Sequence, residues 1–387
     1  MNRRLLTLLV AGGLCACGGD DDFEPPAELV EFEPAFEVRT VWERRVGNGT
    51  ERLRLGLVPA TDAMRIFAGA YDGTAKAIDM MTGEELWEID TELKLAAGPG
   101  VGGGMAVYGA TDGIIIALDA ETGAELWQRP IGSEVIAAPA VSEDLIVFRS
   151  TDGSLTGLRP SDGEEVWSII HSLPVLTLRG NSAPLLVGDY AVAGFDNGRL
   201  GAYEMDTGVS RWEYPIATPG GGSEIERMVD IGVDLETFGN TIYAASFQGR
   251  AAAILLATGD RFWERDLSSF AGLGVDSDHV YITDDVSAVI ALNRLAGTEV
   301  WRQTDLRLRD ITAAARHREA IVVADFEGYV HWLSVDDGSF LARARASSSQ
   351  ITAQPLVVGP LLFVQSENGT VTAFEIDDGP EFIDESE

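Results

Sequence analysis

The sequence predicts an all-β chain folded as a single eight-bladed β-propeller, its ring closed by an N-terminal strand that joins the last blade. Three observations predict this. One pattern recurs along the chain: Asp-Gly, four residues to a small residue, then Asp-x-x-Thr-Gly-x-x-x-Trp. Its anchor positions Gly73, Gly113, Gly153, Gly198, Gly249, Ser287, Gly328 and Gly369 lie 38 to 51 residues apart, the span of one four-stranded blade. No stretch sustains the 3.6-residue apolar period of a helix.

The clearest copies are Asp72-Gly73…Ala77-Ile78-Asp79…Thr82-Gly83…Trp87 and Asp112-Gly113…Ala117-Leu118-Asp119…Thr122-Gly123…Trp127. Within a unit, β-branched and aromatic runs are broken by Gly and Asp, which is strand and hairpin chemistry. In the second unit, 96–101 leads in and 104–108 is a strand. Asp112-Gly113 then turns into a third strand at 114–118, and Thr122-Gly123 turns into a fourth that carries Trp127. Seven of the eight tryptophans (Trp42, Trp87, Trp127, Trp167, Trp212, Trp263 and Trp301) occupy the fourth-strand position. Trp42 precedes every Asp-Gly element, and the eighth unit ends soon after Gly379 without a Trp strand. The strand around 40–44 therefore completes the last blade, which closes the ring and leaves no open end. Unit seven exchanges its large and small residues: Trp332 stands at the third-strand position and Ala342 at the fourth. The Trp332 ring should fill space near that left by the missing Trp at 342.

Composition narrows the function. Acids number 62 against 28 bases, so the formal charge is −34 and the pI about 4.3. Phosphate binding needs a basic surface, which argues against nucleic acid as a partner. Adsorption to anionic headgroups by charge alone fails on the same ground. The only cysteines are Cys15 and Cys17, so the folded body has no disulfide, thiolate metal site or cysteine nucleophile.

Arg3 and Arg4 precede an apolar stretch, 5–14, too short to span a bilayer. It reads as a secretory signal. Leu14-Cys15-Ala16-Cys17 resembles the bacterial lipobox, with a small residue before the acylated cysteine. Cys17 fits; Cys15 does not, because bulky Leu14 precedes it. Gly18 and Gly19 follow in place of the Asp that favours inner-membrane retention, which implies sorting to the outer membrane. The expected domains are a signal peptide (1–16), the lipidated Cys17 with an acidic tether (17–37), the propeller (38–379) and an acidic tail (380–387).

The Trp repeat resembles two families, the quinoprotein dehydrogenases and the BamB lipoproteins of the β-barrel assembly machinery. Three segments outside the repeat resemble BamB: Leu176-Thr-Leu-Arg-Gly-Asn-Ser-Ala-Pro184, Gly222-Ser-Glu-Ile-Glu-Arg227 and Glu327-Gly-Tyr-Val-His-Trp332. This resemblance implies a lipid-anchored, non-enzymatic scaffold on the periplasmic face of the outer membrane, one that assists folding and insertion of outer-membrane proteins. It implies docking on a periplasmic POTRA domain of the insertase BamA, and through BamA association with the other lipoproteins of the complex. Unfolded outer-membrane proteins are possible further partners. The family contact residues fall on Leu176, Leu178, Arg179 and Asp230. A second family Asp is replaced here by Gly232, with Asp234 nearby. Independently, the Trp212–Trp263 interval is 51 residues and the Trp167–Trp212 interval 45, so extra chain must leave the blades there. Loops on a rigid scaffold commonly carry binding surfaces. Plainer roles exist for each residue: packed strand positions for Leu176 and Leu178, a solvated or blade-internal ion pair for Arg179, a turn cap for Asp230.

The alternatives are a quinone-dependent dehydrogenase and a propeller that binds a small ligand in its channel. Quinoprotein dehydrogenases use a calcium site, a catalytic Asp and usually a vicinal Cys pair. This body has no Cys, and its Asp residues are mostly accounted for by turns. The four histidines (His171, His279, His317 and His331) lack ligand spacing. The Gly-rich stretch 100–104 lacks the Lys-Ser/Thr of a phosphate loop. No catalytic residue, metal or cofactor is expected.

Overall fold

The computed structural model describes residues 24–135, 137–178, 182–223 and 225–377. Cys17, the signal segment and the acidic tail lie outside them. Every regular element among these residues is a β-strand. Blades 1 to 7 span 60–90, 95–130, 140–170, 185–215, 236–266, 272–303 and 315–345, each an antiparallel meander of four strands. Blade 8 takes three strands from 356–377 and its fourth from Glu37–Arg45 near the N-terminus. Trp42 lies opposite Ala373 in that closing pair. The expected ring closure is present.

First strands of neighbouring blades touch one another and line the central channel. Strands alternate in direction, so every fourth-to-first connection emerges on one face, called upper here, with the Asp-Gly turns. The remaining turns lie on the lower face. The connection from blade 8 to blade 1 (46–59) adds a short strand, Gly56–Leu57, parallel to the first strand of blade 2. It also carries the Arg54 guanidinium to 5.2 Å from the Phe270 ring in the blade 5–6 connection.

One contact repeats around the ring and accounts for the motif. Each fourth-strand Trp pairs across a small residue of the third strand, as Trp87 with Ala77 and Trp167 with Gly157. Its ring lies against the glycine of the turn between the third and fourth strands of the next blade. Gly83, Gly123, Gly163, Gly208, Gly259, Gly297 and Gly338 all have φ between +63° and +74°, and a Cβ on any of them would sit 2.4–2.7 Å from the indole. The indole N–H donates to a carbonyl of that same turn, at Met80, Ala120, Pro160, Met205, Leu256, Arg294 and Val335, over 2.7–3.1 Å. The motif Asp closes the turn: Asp79 Oδ1 accepts from the Thr82 amide and hydroxyl. Those bonds hold the Asp79 carboxyl below its usual range. The repeated acids are thus turn caps.

Blade 7 departs as expected. Trp332 is fully buried and pairs opposite Ala342. Its ring packs edge-on to Phe374 of blade 8, 5.8 Å away. Its N–H does not reach the next blade. It donates to Nδ1 of His317 (3.0 Å), and His317 Nε2 donates to the Pro360 carbonyl of blade 8 (2.8 Å).

Candidate partner-binding surface

The two lengthened connections, blade 3–4 (171–184) and blade 4–5 (216–235), lie side by side on the upper face. The Ala183 amide of the first donates to Asp234 Oδ1 of the second over 2.7 Å. Gly194 of blade 4 packs against Ile231 so closely that a Cβ would overlap it at 2.3 Å, which seats the second connection on the blade below.

Leu176 is 44% exposed and Leu178 half-buried, and neither belongs to a strand. Arg179 lies outside the described residues. Asp230 is placed differently from the sequence expectation: it is fully buried, and its backbone bridges Phe247 of blade 5. The contact acid assigned from the motif therefore lies behind the surface. The reason is local. Val229, Ile231 and Val233 are buried around it and draw that stretch inward.

Sequence reasoning missed the residues that make the surface apolar. Val175 is 82% exposed, Ile170 76% and Ile225 65%, with Leu173 also exposed. A usable signal was present: Ile169-Ile170…Leu173…Val175-Leu176 runs aliphatic past the end of the Glu165–Ile170 strand. Ile225 is displayed by a self-contained turn. Glu226 Oε2 accepts the Gly222 and Ser223 amides, and the Glu226 amide donates to Ser223 Oγ, a capping-box exchange. Those bonds keep the Glu226 carboxyl below its ordinary value.

Behind this surface two carboxylates come close together, Asp234 at the end of the blade 4–5 connection and Glu236 at the start of the first strand of blade 5. Asp234 is solvent-exposed, yet protein is packed around its carboxyl, and that desolvation raises its pKa despite the Ala183 bond. Glu236 is pushed up to about 7, first by burial and then by the neighbouring Asp234 charge. Among the described residues, no group of three or more His, Cys, Asp or Glu is placed to hold a metal ion. A cleft of about 660 Å3 lies well away, on the lower side of blades 7 and 8, lined by Ala35, Phe36, Glu319 and Ile376.

Comparison with known proteins decides the family. The family model described as outer membrane protein assembly factor BamB matches residues 71–303 and 286–381. The chain belongs to the BamB family. The outer membrane protein assembly factor BamB of Pseudomonas aeruginosa is 46% identical over 372 residues, covering 96% of this chain and 98% of that protein. The crystal structure of BamB from Moraxella catarrhalis superposes with a TM-score of 0.81 at 28% identity, over 88% of this chain and all of that one. A quinohemoprotein alcohol dehydrogenase of Pseudomonas putida superposes with a TM-score of 0.70 at 13% identity, over 90% of this chain and 77% of that one. That second likeness is one of fold alone.

Proposed function

We propose that the protein is a non-enzymatic scaffold of outer-membrane β-barrel assembly. Anchored by lipid on Cys17 at the periplasmic face of the outer membrane, it docks on a POTRA domain of the insertase BamA through the blade 3–4 and 4–5 connections. There it helps present unfolded outer-membrane proteins for insertion. The observation that carries this reading is that two adjoining connections of a rigid ring both display exposed aliphatic side chains. Exposed apolar side chains on a rigid scaffold are what a protein partner covers. Arg179 lies in the same connection and can pair a carboxylate in bidentate fashion, a local exception to the charge of −34.

Capture of BamA from solubilised membranes tests it. Val175→Asp and Leu176→Asp should each weaken capture at least about tenfold, and Arg179→Ala about thirtyfold, roughly 2 kcal/mol. The melting temperature should stay within a few degrees, since Val175 and Leu176 are exposed. Wild-type capture by all three variants would put the partner elsewhere. Metal analysis and an absorption spectrum of the periplasmic protein should show neither stoichiometric calcium nor a quinone band. Finding both would move the reading to the dehydrogenases.

A further inference from the structure

The sequence treats 17–37 as a tether, but residues 24–36 lie packed along the outer edge of blade 7. At the upper rim, Glu24 pairs with Arg307, and the Ala27 amide donates to the Arg307 carbonyl over 2.9 Å. The Ala27 carbonyl accepts from Arg309 Nη1 (3.0 Å) and the Val30 carbonyl from Arg343 Nη1 (3.1 Å). Phe32 stacks on Phe340 of the fourth strand, centroids 5.3 Å apart, with the Arg343 guanidinium 5.0 Å from the Phe32 ring. Near the lower rim the Ala35 amide donates to the Leu341 carbonyl over 2.8 Å.

The two arginines that grip this strap are themselves fixed by blade 7. Arg343 Nε donates to His331 Nδ1 (3.1 Å), so His331 Nε2 donates to Asp325 (3.1 Å). Asp325 also accepts from Arg309 Nε over 2.8 Å. Arg309, His331 and Asp325 are all buried. Strap, Arg343, His331, Asp325 and Arg309 thus form one closed chain of bonds. Its four side chains come from the blade 6–7 connection (Arg309), the turn before the third strand (Asp325), the third strand (His331) and the fourth (Arg343).

Position does the rest. Only seven residue steps separate Cys17 from Glu24, a reach of about 25 Å fully extended. Released, the leash would run from Cys17 to Glu37, and its reach would rise to about 70 Å. We infer that the strap–blade 7 contact is a tether clamp that makes the upper rim at blades 6 and 7 the sector facing the phospholipid surface, and holds the blade 3–4 and 4–5 connections across the ring from it. This rests on lipid attachment near residue 17. Blade 3 stands opposite blade 7 in a ring of eight, so a clamped propeller points its apolar connections away from the membrane, toward a partner standing in the periplasm.

The mature body lacks cysteine, so single labels are clean. Dyes on Asp305→Cys (upper rim, blade 6–7 connection) and Val175→Cys (blade 3–4 connection) should be placed in the lipidated protein, reconstituted in phosphatidylcholine vesicles that carry a lipid-borne energy acceptor. Transfer from position 305 should exceed that from 175 severalfold. Phe32→Asp, which alters the strap alone, and Arg343→Gln, which alters its seat, should each bring the two positions together and expose 24–36 to protease. Equal transfer in the unaltered strap, or an unchanged ratio in Phe32→Asp, overturns the clamp. The same pairs on a Cys17→Ser mature chain, held to nickel-chelating vesicles by a hexahistidine tag before residue 17, read the clamp without lipid. Palmitate labelling of the full chain reports acylation separately, so a failure of lipid attachment and a failure of the clamp give different results.

Discussion

The junction between blades 6 and 7 and the junction between blades 7 and 8 solve one problem in two ways. At the first, Trp301 lies on Gly338 and donates straight to the Val335 carbonyl. At the second, Trp332 enters from the third strand, and His317 relays its hydrogen bond to Pro360. Apolar volume is supplied in both cases, but the second needs a buried titratable group. Moving the large ring from the fourth strand to the third leaves small Ala342 on the outer strand. It lies between Leu341 and Arg343, which the strap contacts. The exception to the repeat coincides with the blade whose outer edge the N-terminal segment covers among the described residues.

The largest expected effect is at a regular junction. Trp301→Ala should cost about 3–5 kcal/mol, because it removes a buried ring and strands the Val335 carbonyl, and chemical denaturation measures it. If Trp301→Ala and Trp332→Ala cost the same while His317→Ala is neutral, the relay contributes nothing. His317→Ala should cost about 1–3 kcal/mol, the penalty of leaving the Trp332 N–H and the Pro360 carbonyl without a bond. Smaller again is a pH effect that is largest at the irregular junction, which holds two of the three histidines whose pKa burial lowers; the third is His171 in the blade 3–4 connection. Burial lowers the pKa of both His317 and His331. The unfolded chain therefore takes up their protons first as pH falls, beginning near the ordinary histidine value of about 6.5. Stability from these groups is complete above that pH and is lost as acid is added. Hydrogen exchange between pH 7 and 5 should show blades 7 and 8 loosening ahead of blades 1 and 2, which hold no histidine. Uniform loosening, or none, would mean the two junctions do not differ in this way.

Much of this was legible in the sequence, for a physical reason. The Gly of each of these turns has no substitute where φ is positive and an indole occupies the place of its Cβ, so that Gly is present at every regular junction even where the Thr before it is replaced. The order of tryptophans along the chain revealed the closure of the ring, because a fourth strand with no preceding hairpin can only belong to the last blade. The swap at Trp332 and Ala342 was visible for the same reason. What the repeat cannot encode is what the connections do, since they lack its periodicity. Asp230 looked like a surface acid and is buried, because Val229, Ile231 and Val233 fold that stretch inward. Val175 and Ile225 looked unremarkable and are exposed, because one follows the last hydrogen-bonded position of a strand and the other caps a self-bonded turn. The segment 24–36 falls within what the sequence reads as an acidic tether, 17–37. Tertiary structure alone decided that it is seated: its partners Arg309 and Arg343 lie some 280 to 310 residues away in sequence, and their placement depends on a buried Asp325–His331 pair that local pattern does not reveal.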